Sequence, residues 1–260
     1  MKLRRKTKPV TGTQAVQRAV SILKSFREEK ASRTLMEIAR ELGLNKSTVY
    51  RLLTALEMDG LVARDPVSDA YTLGPELIVL GGMALRSSNL RFSSRAELKK
   101  LSSATGETTS LEVLSGTEVL IIDEIAGEHL MGGTQSIGTR WPAYATSTGK
   151  AILAYLSGEE VDAILKKPLA QLTKKTITDP DVLRKELGVI RQRGFAVADE
   201  QMELGYVAVG SPVFNHDGEV TAAISVGGPT IRLTRERIIQ TGTLVCATAE
   251  RISKRLGYRG

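Results

Sequence analysis

Cysteine and histidine are almost absent from this chain of 260 residues: there is one Cys, at position 246, and two His, at 129 and 216. A lone cysteine excludes an intrachain disulfide, and three such side chains scattered along the sequence do not supply a His/Cys zinc cluster. Also lacking is any apolar run near the roughly 18 residues of a membrane span. The opening segment MKLRRKTK has no apolar stretch from which a signal peptide or anchor could be built. A cytoplasmic chain without membrane partners is therefore expected, with Cys246 a buried structural thiol on a terminal helix. Signatures of catalysis are missing as well. The segment GTRWPAYATSTGKA ends like a phosphate loop, but a Walker motif needs glycine five positions before Gly149 and a hydroxyl residue after Lys150, where this chain has Tyr144 and Ala151. No G-x-S-x-G elbow and no dinucleotide fingerprint occur. The carboxylates Asp123, Glu124, Asp199 and Glu200 could hold a metal, though charges at strand ends are the simpler reading. No catalytic residue, metal or cofactor is expected, and hence no enzyme.

What the chain does have is apolar material and an uneven charge. Hydrophobic residues make up 42%, enough for packed cores, and the length exceeds that of a usual single domain. Residues 1–100 hold 19 Lys or Arg against 10 Asp or Glu, a net +9, while the remainder holds 17 against 19, a net −2. A basic front half beside a near-neutral back half suits binding of a polyanion by the first, because neutralising phosphates releases counterions. Five of the positive charges fall in the first eight residues. They make residues 1–12 either a basic arm along phosphates or the minor groove, or a flexible tail with no defined contact.

Residues 34–54, TLMEIARELGLNKSTVYRLLT, read as two short amphipathic helices around a tight turn. Thr34 and Glu37 have capping-box spacing, and Leu35, Ile38, Ala39 and Leu42 recur at helical intervals. Gly43 supplies the stop and Asn45 a cap for the next helix. On that helix Val49, Leu52, Leu53 and Leu56 form a buried stripe, leaving Lys46, Ser47, Tyr50, Arg51 and Thr54 outside. Donors and hydroxyls on the first turn are what phosphates and guanine edges accept, so a recognition helix is expected in preference to a helical hairpin with a solvated face. Upstream, Val16, Ala19, Val20, Leu23 and Phe26 mark a preceding helix. Downstream, Gly60 ends the recognition helix, and LVARD and AYTL are strand-like runs around Pro66, Ser68 and Asp69, which predicts a wing.

Gly74 and Pro75 open a connecting helix, ELIVLGGMALRSS, that ends in Ser87, Ser88 and Asn89. Beyond it, Phe92, Leu98 and Leu101 mark a helix. ETTSLEVL and EVLIIDEI predict a hairpin about Ser115 and Gly116, and a helix of about two turns follows Gly149. Two more helices span roughly 158–194, with breakers at Pro168 and Pro180. FAVADE is a strand, and YVAVGSPVF and EVTAAISVGG form a hairpin through Asp217-Gly218, before a last helix capped by Thr234. The pattern is α+β, with an antiparallel sheet covered by helices.

The front half, together with WPAYATSTGKAILAYL, GFAVADEQMELGYVAVGSPVF and GEVTAAISVGGPTIRLT, resembles the IclR family of bacterial transcriptional regulators over about residues 13–258. The resemblance implies a winged helix-turn-helix over 13–74, a linker helix over 75–88 and a GAF-like effector-binding domain over 89–258, acting as a homodimer or homotetramer on double-stranded operator DNA. By the same resemblance the DNA-reading helix is Asn45 to Thr54 and the wing 61–73. Contact candidates are Lys46, Ser47, Thr48, Tyr50 and Arg51, with Arg51 the side chain best shaped for a bidentate fork. Thr48 either joins them, or faces the core or bonds back to its own helix. Arg33 either meets a phosphate near a helix N-terminus or is a solvated surface arginine. The effector site implied is lined by Trp141, Tyr144, Ser147, Thr148, Asp199, Tyr206, Ala208 and Ser225. There, the hydroxyls of Ser147, Thr148 and Ser225 and amides near Gly149 would hold a carboxylate, and Trp141 and Tyr206 would form an apolar wall.

An organic, aromatic or sugar acid is thus the expected effector. Against that, Gly227 stands where members that bind very small acids have a second serine, Ser147 where they have glycine, and Tyr206 where they have leucine. A rival reading is an enzyme or storage-type domain fused to a winged helix used for protein contacts, and the basic, hydroxyl-rich helix face speaks against it.

Overall fold

The computed structural model describes residues 12–27, 30–129 and 137–260, so the arm, apart from Gly12, lies outside the described residues. The chain divides into two compact units, one ending at Ser87 and the other running from Ser88 to Gly260.

The first unit is built from α1 (Gln14–Ser25), β1 (Arg33–Thr34), α2 (Leu35–Leu42), α3 (Lys46–Met58), β2 (Val62–Arg64), β3 (Ala70–Leu73) and α4 (Glu76–Arg86). The capping box forms as its spacing predicts: the Thr34 amide donates to Glu37 Oε2 at 2.8 Å, and Thr34 Oγ1 accepts the Glu37 amide at 3.4 Å. Caps of this kind are worth about 1 kcal/mol. Gly43 takes the left-handed conformation (φ 62°) that closes α2, which an L side chain adopts only under strain. Asn45 sits at the N-cap of α3, but its side chain makes no capping bond there, contrary to expectation. Ile22, Ile38, Val49 and Leu53, all fully buried, meet Phe26, Leu56 and Tyr71 in one core, so the apolar stripes of three helices share a centre. The wing is an antiparallel β2–β3 pair with Val62 opposite Leu73. Its loop is closed by Asp65, which accepts the Val67 amide and the Ser68 hydroxyl. β1 adds a third strand beside β3. Two residues long and paired across some 36 positions of sequence, it has no local signal.

The second unit contains α5 (Asn89–Thr105), β4 (Thr108–Ser115), β5 (Glu118–Ile125), β6 (Arg140–Pro142), α6 (Ser147–Leu153), α7 (Gly158–Leu165), α8 (Pro180–Arg193), β7 (Ala196–Asp199), β8 (Tyr206–Phe214), β9 (Val220–Pro229) and α9 (Arg235–Arg255). Six strands form one antiparallel sheet in the order β6-β5-β4-β9-β8-β7, the β4–β5 and β8–β9 hairpins meeting along β4 and β9. Strand periodicity decides what each face buries. Leu111, Ala222, Ile224 and Val226 pack on Leu98 and Leu101 of α5 and on Val245, Ala249 and Ile252 of α9. On the other face Val119 and Ala223 join Ile152 and Leu153 of α6, Leu165 of α7, and Leu183, Leu187 and Ile190 of α8. Not all residues of this second face are apolar. Thr108, Ser110 and Glu112 alternate along β4 on the side opposite Leu111, and in register beside them on β9 lie Gly227, Ser225 and Ala223.

Candidate functional site

Two surfaces carry chemistry, one in each unit. On α3, Val49, Leu53 and Leu56 face the core while Lys46, Ser47, Tyr50 and Arg51 are exposed and Thr48 is half-buried. Thr54, placed outside by the sequence, is half-buried and donates its hydroxyl back to the Tyr50 carbonyl. The exposed set is a cation, a hydroxyl, a phenol and a guanidinium on successive turns of one helix, which can donate to phosphates and base edges.

Arg33 is not part of that surface. It is 3% exposed, and its guanidinium donates to the Ser25 carbonyl at 2.8 Å and to Glu41 Oε2 at 2.7 Å. It ties the end of α1 to α2, so neither a phosphate contact nor a solvated arginine describes it. The expectation failed because burial of an arginine depends on partners eight residues away in both directions, which helical periodicity does not reveal.

In the second unit a cavity of about 430 Å³ opens between the polar stripe of the sheet and the first turn of α6. Thr146 caps α6 by accepting the Gly149 amide at 3.1 Å, which sets Ser147 and Thr148 on the cavity side. Of the residues that the resemblance implies for the effector site, Trp141, Ser147, Thr148, Tyr206, Ala208 and Ser225 line it. Tyr144 and Asp199 do not. The Tyr144 hydroxyl turns away to donate to the Ala170 carbonyl, and Asp199 is exposed and paired with Lys175 at 3.4 Å. Thr108, Ser110, Glu112 and Glu124 line the cavity without having been anticipated. For Thr108, Ser110 and Glu112 the signal was the set of polar residues two apart along TTSLEVL, which places them on one face of the strand. Asp123, read as a charge at a strand end, is fully buried and ion-paired with Arg91 and Arg95 of α5. Cys246, expected to be buried, is half-buried, and burial raises its thiol pKa.

One of the hydroxyls assigned to an effector carboxylate, Thr148, instead holds a carboxylate of the protein itself, and a second, Ser225, is linked to that carboxylate through Ser110. Ser110 donates to Glu112 Oε1 at 2.7 Å and Thr148 to Oε2 at 2.6 Å. Ser225 bonds Ser110 at 2.8 Å, and with the Ser110 proton committed to Glu112, Ser225 is the donor. Burial pushes the Glu112 carboxyl above its ordinary range, against the pull of these two hydroxyls. Burial also raises the Tyr206 phenol, and the neighbouring Glu112 raises it further.

Behind the cavity, Lys150 of α6 is fully buried and donates to the Val197 carbonyl of β7 at 2.7 Å, with Glu186 at 3.8 Å. Burial lowers its pKa from 10.5 to about 8. Because the folded chain binds this proton more weakly than the unfolded chain, the cost of burying the charge is full below pH 8 and disappears as pH rises toward 10.5. It amounts to about 3 kcal/mol at 1.36 kcal/mol per pKa unit. Lys150→Met is expected to remove that rise. Stability measured by urea unfolding at pH 7.5 and 10 should increase more for wild type than for the variant, and parallel profiles would show that Lys150 is not the titrating group.

The first unit has the architecture of a winged helix-turn-helix, and the second is an α+β domain with a cavity between its antiparallel sheet and α6. Comparison with known proteins gives the same division: residues 15–66 match the IclR helix-turn-helix domain and residues 82–254 the C-terminal domain of the bacterial transcriptional regulator IclR. This chain belongs to the IclR family of bacterial transcriptional regulators, a family of regulators and not of enzymes. It is 34% identical to the transcriptional repressor IclR of Escherichia coli over 258 residues, covering 98% of this chain and 93% of the repressor. It is 32% identical to the regulator XynR of the same organism, covering 94% and 98%. Among solved structures, an IclR transcriptional regulator from Alicyclobacillus acidocaldarius superposes with a TM-score of 0.84 at 30% identity, covering 94% of this chain and 98% of that one. An IclR homologue from Microbacterium hydrocarbonoxydans complexed with 4-hydroxybenzoate gives 0.79 at 26%, covering 93% and 98%. No helix among the described residues is long and apolar enough to cross a membrane, and no group of His, Cys, Asp or Glu among them could hold a metal ion.

Proposed function

We propose that this chain binds operator DNA through the exposed face of α3 and that a small metabolite in the cavity of the second unit sets its operator affinity. The observation that carries the reading is the joining, in one chain, of a basic recognition face and a cavity large enough for a metabolite. Lys46, Ser47, Tyr50 and Arg51 stay in the DNA-reading set, with Thr48 at its edge. Coupling requires the metabolite to bind the operator-competent and incompetent states unequally, since equal affinity shifts nothing. A homodimer or homotetramer on a palindromic site fits the exposed apolar residues Ile78, Val79, Leu80 and Met83 of α4, which buries none of its side chains. Light scattering that returned the mass of one chain would refute the oligomer.

The test of the DNA reading starts from duplexes selected out of a random pool by the full chain. Arg51→Ala is expected to weaken binding to the selected duplex by about 1–3 kcal/mol, with the far-UV spectrum and unfolding midpoint unchanged. No enrichment of any duplex, or binding indifferent to salt, would instead favour a winged helix used for protein contacts. The acid class of effector has a precedent in the neighbour holding 4-hydroxybenzoate, but in this cavity one of the hydroxyls that would receive a carboxylate, Thr148, already serves Glu112, and Ser225 is bonded to Ser110.

A further inference from the structure

Four carboxylates are buried among the described residues: Glu97, Glu107, Glu112 and Asp123. Three of them have a guanidinium partner. Glu97 is bonded by Arg251 at 2.7 Å and Arg255 at 2.8 Å, Glu107 is clasped by Arg232 through two bonds of 2.7 Å, and Asp123 pairs with Arg91 and Arg95. Glu112, 4% exposed, has only hydroxyls for partners and is the one that lines the cavity. A buried carboxylate that no cation neutralises is costly to keep, and the other three show how this fold ordinarily meets that cost.

The rest of the lining has the same sign. Glu124 lies opposite Ser110 on β5, Glu203 stands on the loop before β8, and among the described lining residues there is no Lys, Arg or His. Residues 130–136, LMGGTQS, contribute no charge in the sequence. We propose that the cavity selects a cationic effector, a small molecule carrying an ammonium or amidinium group on an apolar body, and disfavours free organic acids. This rests on the reading of the cavity as the effector site.

The atoms needed are in place. Each Glu112 oxygen accepts one hydroxyl, and a carboxylate offers about four acceptor positions, which leaves lone pairs for two N–H donors of a ligand. Tyr206 and Trp141 bring aromatic rings to the lining, which suits a cation, and Met202, Leu204 and Pro229 offer apolar surface to its body. An anion in the same space would approach Glu112 with no opposing charge among the described lining residues.

The test uses the full chain and three probes of one skeleton that differ in charge: benzylamine, benzyl alcohol and benzoate, titrated calorimetrically at pH 7.5. Benzylamine is expected to bind ~100-fold more tightly than benzoate, the scale of a single close charge contact at protein permittivity. In Glu112→Gln, which keeps the side-chain shape, that preference should fall to within ~3-fold while benzyl alcohol affinity is retained, because the loss is then one of charge alone. Glu124→Gln, at a half-exposed position, should narrow the preference by a smaller factor, and it provides the answer if Glu112→Gln does not fold. Benzoate binding as tightly as benzylamine, a preference unchanged in both variants, or no uptake of benzylamine up to millimolar concentration would overturn the proposal. Failure of the broader reading would look different. A chain that binds benzylamine through Glu112 while its affinity for the selected duplex stays constant would keep the cation site and lose the regulatory role.

Discussion

Replacing Arg91 and Arg95 together by methionine is expected to destabilise the second unit by about 3–5 kcal/mol, the scale of a buried charge stripped of its partner, whereas Asp123→Leu should cost well under half of that. The asymmetry comes from where each side chain can go. Asp123 is fully buried on β5, while Arg91 and Arg95 are 24% and 45% exposed. Without the aspartate, the arginines turn to water. Without the arginines, the aspartate remains in the interior with the Glu124 amide as its recorded donor. Trp141, the single tryptophan of the chain, lies in this unit and reports its unfolding in urea. A double arginine variant no less stable than Asp123→Leu would show that the arginines do not neutralise the aspartate. The pair bears on the cavity because Glu124, the next residue on β5, lines it, so loosening α5 from Asp123 would shift a wall of the cavity.

Gly227→Ser should destabilise the chain by about 1–3 kcal/mol through overpacking, and the same change made in a Tyr206→Leu background should cost almost nothing. A Cβ at position 227 would stand 2.1 Å from the Tyr206 hydroxyl oxygen and 2.9 Å from the ring carbon that bears it. Gly227 pairs with Ala208 on β8, so the two sites share one face of the sheet. Tyr206 occupies the volume that a side chain at 227 would need. Two of the three departures from the family pattern named above, Tyr206 for leucine and Gly227 for serine, therefore make a single change in cavity shape. Additive costs in a double-mutant cycle would show that they are independent. The single serine variant should also change the affinity for benzylamine, since the ring that moves is a cavity wall.

The helices of both units were legible in the sequence because helix signals are local. The stripe Ile38-Ala39-Leu42, the Thr34–Glu37 box, and Gly43 lie within ten residues of one another, and the structure reproduces each. The two long hairpins were legible for the same reason, their turns being encoded at Gly116 and at Asp217-Gly218. β1 was not, since its ladder partner lies across the intervening helices. Within the cavity, Trp141, Ser147, Thr148, Tyr206, Ala208 and Ser225 came from the resemblance to the family and not from local pattern. Thr108, Ser110 and Glu112 were missed because a polar stripe on a strand is equally compatible with solvent.

Sequence alone determined the two-part plan and the side of α3 that stays polar, both properties of residue type and short spacing. Tertiary structure decided how the charges are distributed. Pairing across more than a hundred positions gives Arg232 to Glu107 and Arg251 to Glu97. The same packing places hydroxyls from β4, β9 and α6 around Glu112 and leaves no described guanidinium beside it. A carboxylate has the same composition in all of these places, and its role follows from which neighbours the fold brings within hydrogen-bonding distance.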